Sequence, residues 1–170
     1  IFELHPEFIL REVFSSTGTT GYAVNTVVDL DGDGVMEFIV SEHYYFPFFD
    51  YKAHPSSRVV LRWTGSSYAL DLDLMRHLPS PEGYQSVLEE AKQLWGSSDE
   101  REKKAQGWRL YNAVIDLIYS GNWDTAWKLF DDVLPTGFRG SSKEELLVKI
   151  IKESHYGLEI LAEYAGASTQ

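Results

Sequence analysis

Cysteine is absent from this chain of 170 residues, so a disulfide, a thiolate nucleophile and a cysteine-based zinc site are all excluded. Long apolar runs are missing too, and no segment approaches the ~20 residues that a membrane-spanning helix needs. Basic residues are scarce: 15 Lys and Arg stand against 26 Asp and Glu, and the formal net charge is −11. We therefore expect no binding to nucleic acid or to anionic membranes, since both require clustered basic side chains.

The remaining composition suits a packed globular protein, because 44% of the residues are hydrophobic and 14% are aromatic. Residues 1–78 have strand character, and their short connections favour an antiparallel β-meander of about four to six strands. Residues 79–170 follow a helical period that predicts three or four helices, the last of them over about 143–165 after a loop at 136–142. The expected fold class is α+β: a β-rich region at 1–78 and a helical region at 79–170, forming one compact unit with a shared core.

The most informative segment is the acidic loop, residues 29–37, with the sequence DLDGDGVME. It places Asp29, Asp31, Asp33 and Glu37 around two glycines. Four carboxylates this close repel one another unless a cation lies between them. Ca²⁺ takes six to eight oxygen ligands at roughly 2.3–2.6 Å, so the pattern predicts a calcium site.

An EF-hand is excluded for this loop on two grounds. The twelfth loop position, which requires an acidic ligand, is Val40, and the flanking residues are strand-like and not helical. What remains is a calcium loop at the tip of a β-hairpin, closed by Glu37 and assisted by the Val35 carbonyl. The alternative is an Asp/Gly turn without metal. If a metal binds, we expect it to staple the hairpin and not to catalyse.

Residues 28–40 (VDLDGDGVMEFIV) resemble the calcium-binding loop of FG-GAP/VCBS-type repeats, found in integrin β-propellers and many secreted bacterial proteins. The resemblance implies a Ca²⁺ cofactor held by Asp29, Asp31, Asp33, the Val35 carbonyl and Glu37. The family usually has Asp at the position of Glu37. A propeller needs several such units, whereas the loop occurs here once, so a propeller is not implied.

A strongly aromatic segment follows the predicted hairpin at residues 43–51. One interpretation is an exposed platform for a glycan, a peptide or a protein, because flat rings give large contact areas at low entropic cost. The alternative is a strand and loop folded over the core. The residues of this candidate binding surface are Tyr44, Tyr45, Phe46, Phe48, Phe49 and Tyr51.

In the helical half, residues 121–130 (GNWDTAWKLF) resemble the second helix of a tetratricopeptide repeat. Only one copy is present, and solenoids need about three copies for stability. The alternative is a tightly packed helical hairpin with Ala126 at a close crossing. In that case Trp108, Trp123, Trp127 and Phe130 are core residues.

Catalytic motifs do not emerge from the sequence: there is no Gly-x-Ser-x-Gly elbow, no phosphate-binding glycine loop and no zinc-like histidine spacing. We predict a non-catalytic, calcium-stabilised binding or interaction module of bacterial type. Because millimolar calcium is found outside cells, we expect it to be extracellular or periplasmic, its signal peptide removed or trimmed before Ile1. Two alternatives are a secreted hydrolase of polysaccharide or cell wall, and an inhibitor or immunity protein of an exported enzyme.

Overall fold

The computed structural model describes residues 2–4, 10–12, 23–44, 46, 55–134 and 136–167. The described residues of the N-terminal part form two antiparallel sheets. The smaller sheet pairs β1 (Phe2–Leu4) with β2 (Leu10–Glu12). The larger sheet has four strands in the order β3 (Ala23–Val28), β4 (Glu37–His43), β5 (Ser56–Trp63) and β6 (Tyr68–Leu70). The predicted antiparallel meander is therefore confirmed.

The helices follow the larger sheet in the chain, which confirms the α+β class. In the described residues they are α1 (Leu72–Met75), α2 (Pro81–Gly96), α3 (Glu100–Gln106), α4 (Trp108–Tyr119), α5 (Trp123–Val133), α6 (Thr136–Glu153) and α7 (Gly157–Ala167). Local capping explains where several of them begin. Ser80 accepts the N–H of Gly83 at the start of α2, and Asp99 accepts two N–H groups at the start of α3.

The core lies between the larger sheet and the helices. On β4 and β5, Val40 pairs with Val59 and Phe38 with Leu61, and all four side chains are buried. Helix α4 packs against both β5 and α5. Its Leu110, Val114, Ile115 and Ile118 are at most 1% exposed. Burying each side chain of this size contributes about 1.5–3 kcal/mol to the stability of the fold, so α4 holds the larger sheet and the helical region together.

The helical hairpin at α4 and α5 is tightly packed. Ala126 is fully buried, and so is Phe130, while Trp123 is 6% exposed. Trp108 and Trp127 are half-buried against the same hydrophobic cluster. These side chains therefore belong to the core, as the helical-hairpin interpretation predicted.

The helices are shorter and more numerous than the sequence pattern predicted. Gly107 ends α3, where its N–H donates to the Lys103 carbonyl over 2.8 Å, and it also precedes α4. Residues 136–142, predicted as a loop, are the first turns of α6. The long C-terminal helix predicted over 143–165 is interrupted at residues 154–156 by bonds to a buried carboxylate of the sheet.

No helix among the described residues combines the length and the apolar character needed to cross a bilayer.

Candidate metal centre

The acidic loop joins β3 to β4 at one end of the sheet. Val28 on β3 and Glu37 on β4 form the residue pair at this end of the two strands, and the chain turns between them. Gly32 and Gly34 have positive φ angles of 78° and 89°, a backbone region that other residues adopt at a cost. An added Cβ at either glycine would meet nothing within 4 Å, so the need for glycine is conformational and not spatial.

Backbone N–H groups of the loop point at its own carboxylates. The Gly32 N–H donates to Oδ1 of Asp29 over 2.7 Å, and the Gly34 N–H donates to Oδ2 over 3.0 Å. The next two aspartates each accept the N–H two residues further on, at 3.2 Å for Asp31 and 2.7 Å for Asp33. These bonds fix the carboxylate positions, so the loop is ordered around its acidic groups.

Three of the five predicted ligand residues lie together. One carboxylate oxygen each from Asp29, Asp31 and Glu37 lies within 4.8 Å of the other two. Two unit charges at this separation repel by about 1 kcal/mol in water and by more in a partly buried site. The three carboxylates are thus close enough together for one cation that prefers oxygen ligands to contact all of them.

Glu37 is the unusual member of this group, because its side chain is fully buried. Its Oε2 accepts the Leu30 N–H over 2.8 Å, whereas its Oε1 is buried without a hydrogen-bond partner. An unpartnered buried carboxylate oxygen is costly unless a ligand satisfies it. A divalent cation among the three carboxylates would supply that missing partner.

Asp33, the fourth predicted carboxylate ligand, faces a different charge. Its Oδ2 forms a close ion pair with Nη2 of Arg62 on β5, and the same Nη2 lies 3.0 Å from Oδ2 of Asp31. The Val35 N–H chiefly, and the Arg62 guanidinium in addition, lower the pKa of Asp33 against the effect of desolvation. Asp33 is thus paired with Arg62, and it lies outside the group formed by the other three carboxylates.

The Val35 carbonyl was the fifth predicted ligand. Val35 is half-buried in the loop, and its N–H is used by Asp33. Its role as a ligand stays a prediction.

The candidate binding surface divides into two parts. Tyr44 and Phe46 are both fully buried, so they are core residues and cannot belong to an exposed platform. The reason is the alternation that continues from β4, which turns every second side chain towards the helices. The other members, Tyr45, Phe48, Phe49 and Tyr51, lie outside the described residues.

A second polar site, the Glu42 cluster, was not found from the sequence. Glu42 is fully buried on β4, and its Oε2 accepts bonds from the hydroxyls of four residues, namely Tyr44 (3.0 Å), Ser57 (3.4 Å), Tyr119 (3.0 Å) and Ser154 (2.6 Å). The His155 N–H donates to its Oε1 over 2.9 Å. The one sequence signal that could have found Glu42 is the alternation along β4, which puts it on the same buried face as Phe38 and Val40.

Burial dominates the chemistry of the two tyrosines in this cluster. It raises the pKa of Tyr44 and of Tyr119 well above the usual value, and the charge of Glu42 raises both further. Neutral phenols that donate to a buried carboxylate are a stabilising network. The Glu42 cluster therefore ties β4 to α4 and to the corner between α6 and α7.

A groove of about 280 Å³ lies on the helical side, between α2, α4 and the segment after α1. Its walls are mostly apolar, and among the described residues that line it the one carboxylate, Asp116, lies 3.6 Å from His77 Nε2. A hydrolase of glycosides would need two facing carboxyl groups. The described residues of this groove supply one.

Comparison of the chain with protein-family models, with curated proteins and with solved structures finds no match. The resemblance to FG-GAP/VCBS loops therefore rests on the acidic loop itself. The single tetratricopeptide-like helix has no further support either. Both stay predictions.

Proposed function

We propose that this protein is a calcium-stabilised, non-catalytic binding or interaction module that works outside the cytoplasm. The observation that carries the proposal is the carboxylate of Glu37, which lies together with those of Asp29 and Asp31 and has its Oε1 buried without a hydrogen-bond partner. A bound Ca²⁺ would satisfy that oxygen and cancel the repulsion among the three acids.

The position of the loop supports a structural role for the ion. Glu37 is the first residue of β4, and Asp29 directly follows β3, so an ion between them would clamp the two strands together. The central strand β4 also carries Val40 and Glu42 into the core. Calcium binding would thus stabilise the sheet on which the helices pack.

An extracytoplasmic location is part of the proposal. A site with three carboxylates on an exposed loop is expected to bind calcium weakly, and it would fill at the millimolar calcium concentrations found outside cells. Extracellular calcium modules bind with Kd values on the order of 0.1–1 mM. The Asp31 side chain is 28% exposed, which is consistent with a site open to solvent calcium.

Thermal unfolding in calcium and in EDTA tests the proposal. At calcium concentrations about one hundred times Kd, binding to the folded state alone adds about 2.7 kcal/mol. For a chain of this size that corresponds to a rise in Tm of roughly 5–10 °C. Magnesium at the same concentration is the control, and it should give a smaller shift because it demands a tighter octahedral site. Equal Tm values in calcium and EDTA would refute the proposal.

A further inference from the structure

The positively charged side chain of Arg62 lies against the acidic loop. It lies on β5, and its guanidinium contacts three carboxylates at once. Nη2 pairs with Asp33 and, at 3.0 Å, with Asp31, while Nη1 lies 3.6 Å from Oδ2 of Asp71. The hydrogen bond to Asp33 is the main cause that raises the pKa of Arg62.

Two of these carboxylates are also predicted calcium ligands. Asp31 contributes an oxygen to the group with Asp29 and Glu37, and Asp33 is the ligand that lies outside it. A guanidinium and a calcium ion that share the same carboxylates repel each other and compete for the same oxygens. Arg62 therefore affects the site through Asp31 and Asp33, without being a ligand.

We propose that Arg62 is a competing internal cation that weakens calcium binding and stabilises the loop when calcium is low. The proposal rests on the calcium-binding function proposed above. In this proposal, bound calcium takes Asp33 and Asp31 from Arg62, and the guanidinium keeps its contact with Asp71. Competition from Arg62 thus lowers the calcium affinity of the loop, so that the site fills in a calcium-rich environment and stays empty at trace calcium.

The third contact extends this effect beyond the loop. Asp71 is the N-cap of α1, where its Oδ1 accepts the Leu74 N–H over 3.0 Å, while its Oδ2 faces Arg62. Arg62 thus connects the acidic loop to the start of the helical region. Release of both Asp31 and Asp33 to the ion would leave Asp71 as the main partner of the guanidinium.

Calorimetric titration with calcium chloride, together with Tm measured in EDTA, tests this proposal in the full chain. R62Q should bind calcium about tenfold more tightly than the wild type, because a unit charge close to the ion is removed. The same variant should melt at a lower temperature in EDTA. R62K keeps the positive charge near the ion, so its calcium affinity should stay within about twofold of that of the wild type. A purely structural arginine would lower Tm without raising affinity.

R76Q is the matched control, because Arg76 also bridges two carboxylates, Asp73 and Glu163, but lies away from the loop. It should leave calcium affinity unchanged. A second measurement needs no substitution: the side-chain NMR signal of Arg62 in the wild type should shift on calcium addition, and that of Arg76 should not.

The outcomes separate this proposal from the one on which it rests. Unchanged or weaker calcium binding by R62Q, with normal binding by the wild type, overturns the role of Arg62 alone. An Arg62 signal that stays fixed while the loop amides shift does the same. Absence of calcium binding by the wild type and R62Q overturns both proposals.

Discussion

The N–H of Leu30 donates to Oε2 of Glu37 over 2.8 Å, from the second residue of the acidic loop to its last. This bond satisfies one carboxylate oxygen and leaves the other, Oε1, buried without a partner. Glu37, which closes the loop, is therefore a buried carboxylate with a hydrogen-bond partner for only one of its two oxygens. Removing a charge of this kind should help the metal-free protein and harm the metal-bound one.

Glu37→Gln tests that expectation. The variant keeps the side-chain volume and an oxygen for the Leu30 N–H, but it removes a buried charge. We expect its Tm in EDTA to equal or exceed that of the wild type. The rise on calcium addition should fall from roughly 5–10 °C to less than about 1 °C. Glu89→Gln, on the exposed face of α2, is the control and should keep the full calcium shift. A full shift in Glu37→Gln would show that Glu37 is not a ligand.

Glu42 differs from Glu37, because both its oxygens have partners. Glu42→Ala leaves buried hydroxyls and the His155 N–H without an acceptor, and it should destabilise the protein by about 3 kcal/mol or more. Glu42→Gln retains one acceptor oxygen and should lose less. Denaturant unfolding would measure both variants, and the losses should be the same in calcium and in EDTA. A loss that calcium restores would contradict the separation of the two sites.

Stability should fall in alkaline solution because of buried tyrosines. The pKa values of Tyr44 and Tyr119 are raised well above 10.0 by burial, and that of Tyr111 is raised to about 12. A raised folded pKa means that the folded state binds more protons above pH 10, so stability is full below pH 10 and falls as pH rises further. The slope is about 1.4 kcal/mol per pH unit for each such group.

Unfolding measured near pH 11, with the absorbance of tyrosinate recorded on the same samples, would show both the loss of stability and the ionisation of the tyrosines. Tyr119→Phe removes one titrating group and should flatten the alkaline loss of stability, although it lowers stability at neutral pH through the lost bond to Glu42. Buried tyrosines that ionise near pH 10 in the folded protein would contradict the prediction.

Two helical glycines should respond to alanine in opposite directions. A Cβ at Gly157 would lie 2.2 Å from the Ile150 carbonyl oxygen, whereas a Cβ at Gly140 would meet nothing within 4 Å. Gly157→Ala should therefore cost about 2 kcal/mol or more. Gly140→Ala should gain about 0.5–1 kcal/mol through lower backbone entropy in the unfolded chain. Chemical denaturation would show both changes, and equal effects would contradict the close approach at the α6–α7 corner.

Local patterns in the sequence were sufficient to predict the sheet and the loop. β-Branched residues such as Val27 and Val28, followed by an Asp/Gly turn, specify a hairpin through short-range chemistry alone. The grouping of Asp29, Asp31 and Glu37 follows from that hairpin. Pro81, which suits the first turn of a helix, and Asp99, which suits an N-cap, likewise indicate from the sequence where α2 and α3 begin.

Long-range contacts could not be predicted in this way. Arg62 reaches Asp33 only because β5 pairs with β4 in a particular register, and the two residues are 29 positions apart. The interruption of the C-terminal helix depends on Glu42, which lies 112 residues before Ser154. The same tertiary effect buries Tyr44, whose aromatic neighbours suggested an exposed surface.

Calorimetric titration of the metal-free wild type with calcium tests the central claim most directly. The account predicts saturable binding of one ion per chain with a Kd on the order of 0.1–1 mM, and loss of that binding in Glu37→Gln. The absence of saturable binding up to about 10 mM calcium, far above that range, would contradict it.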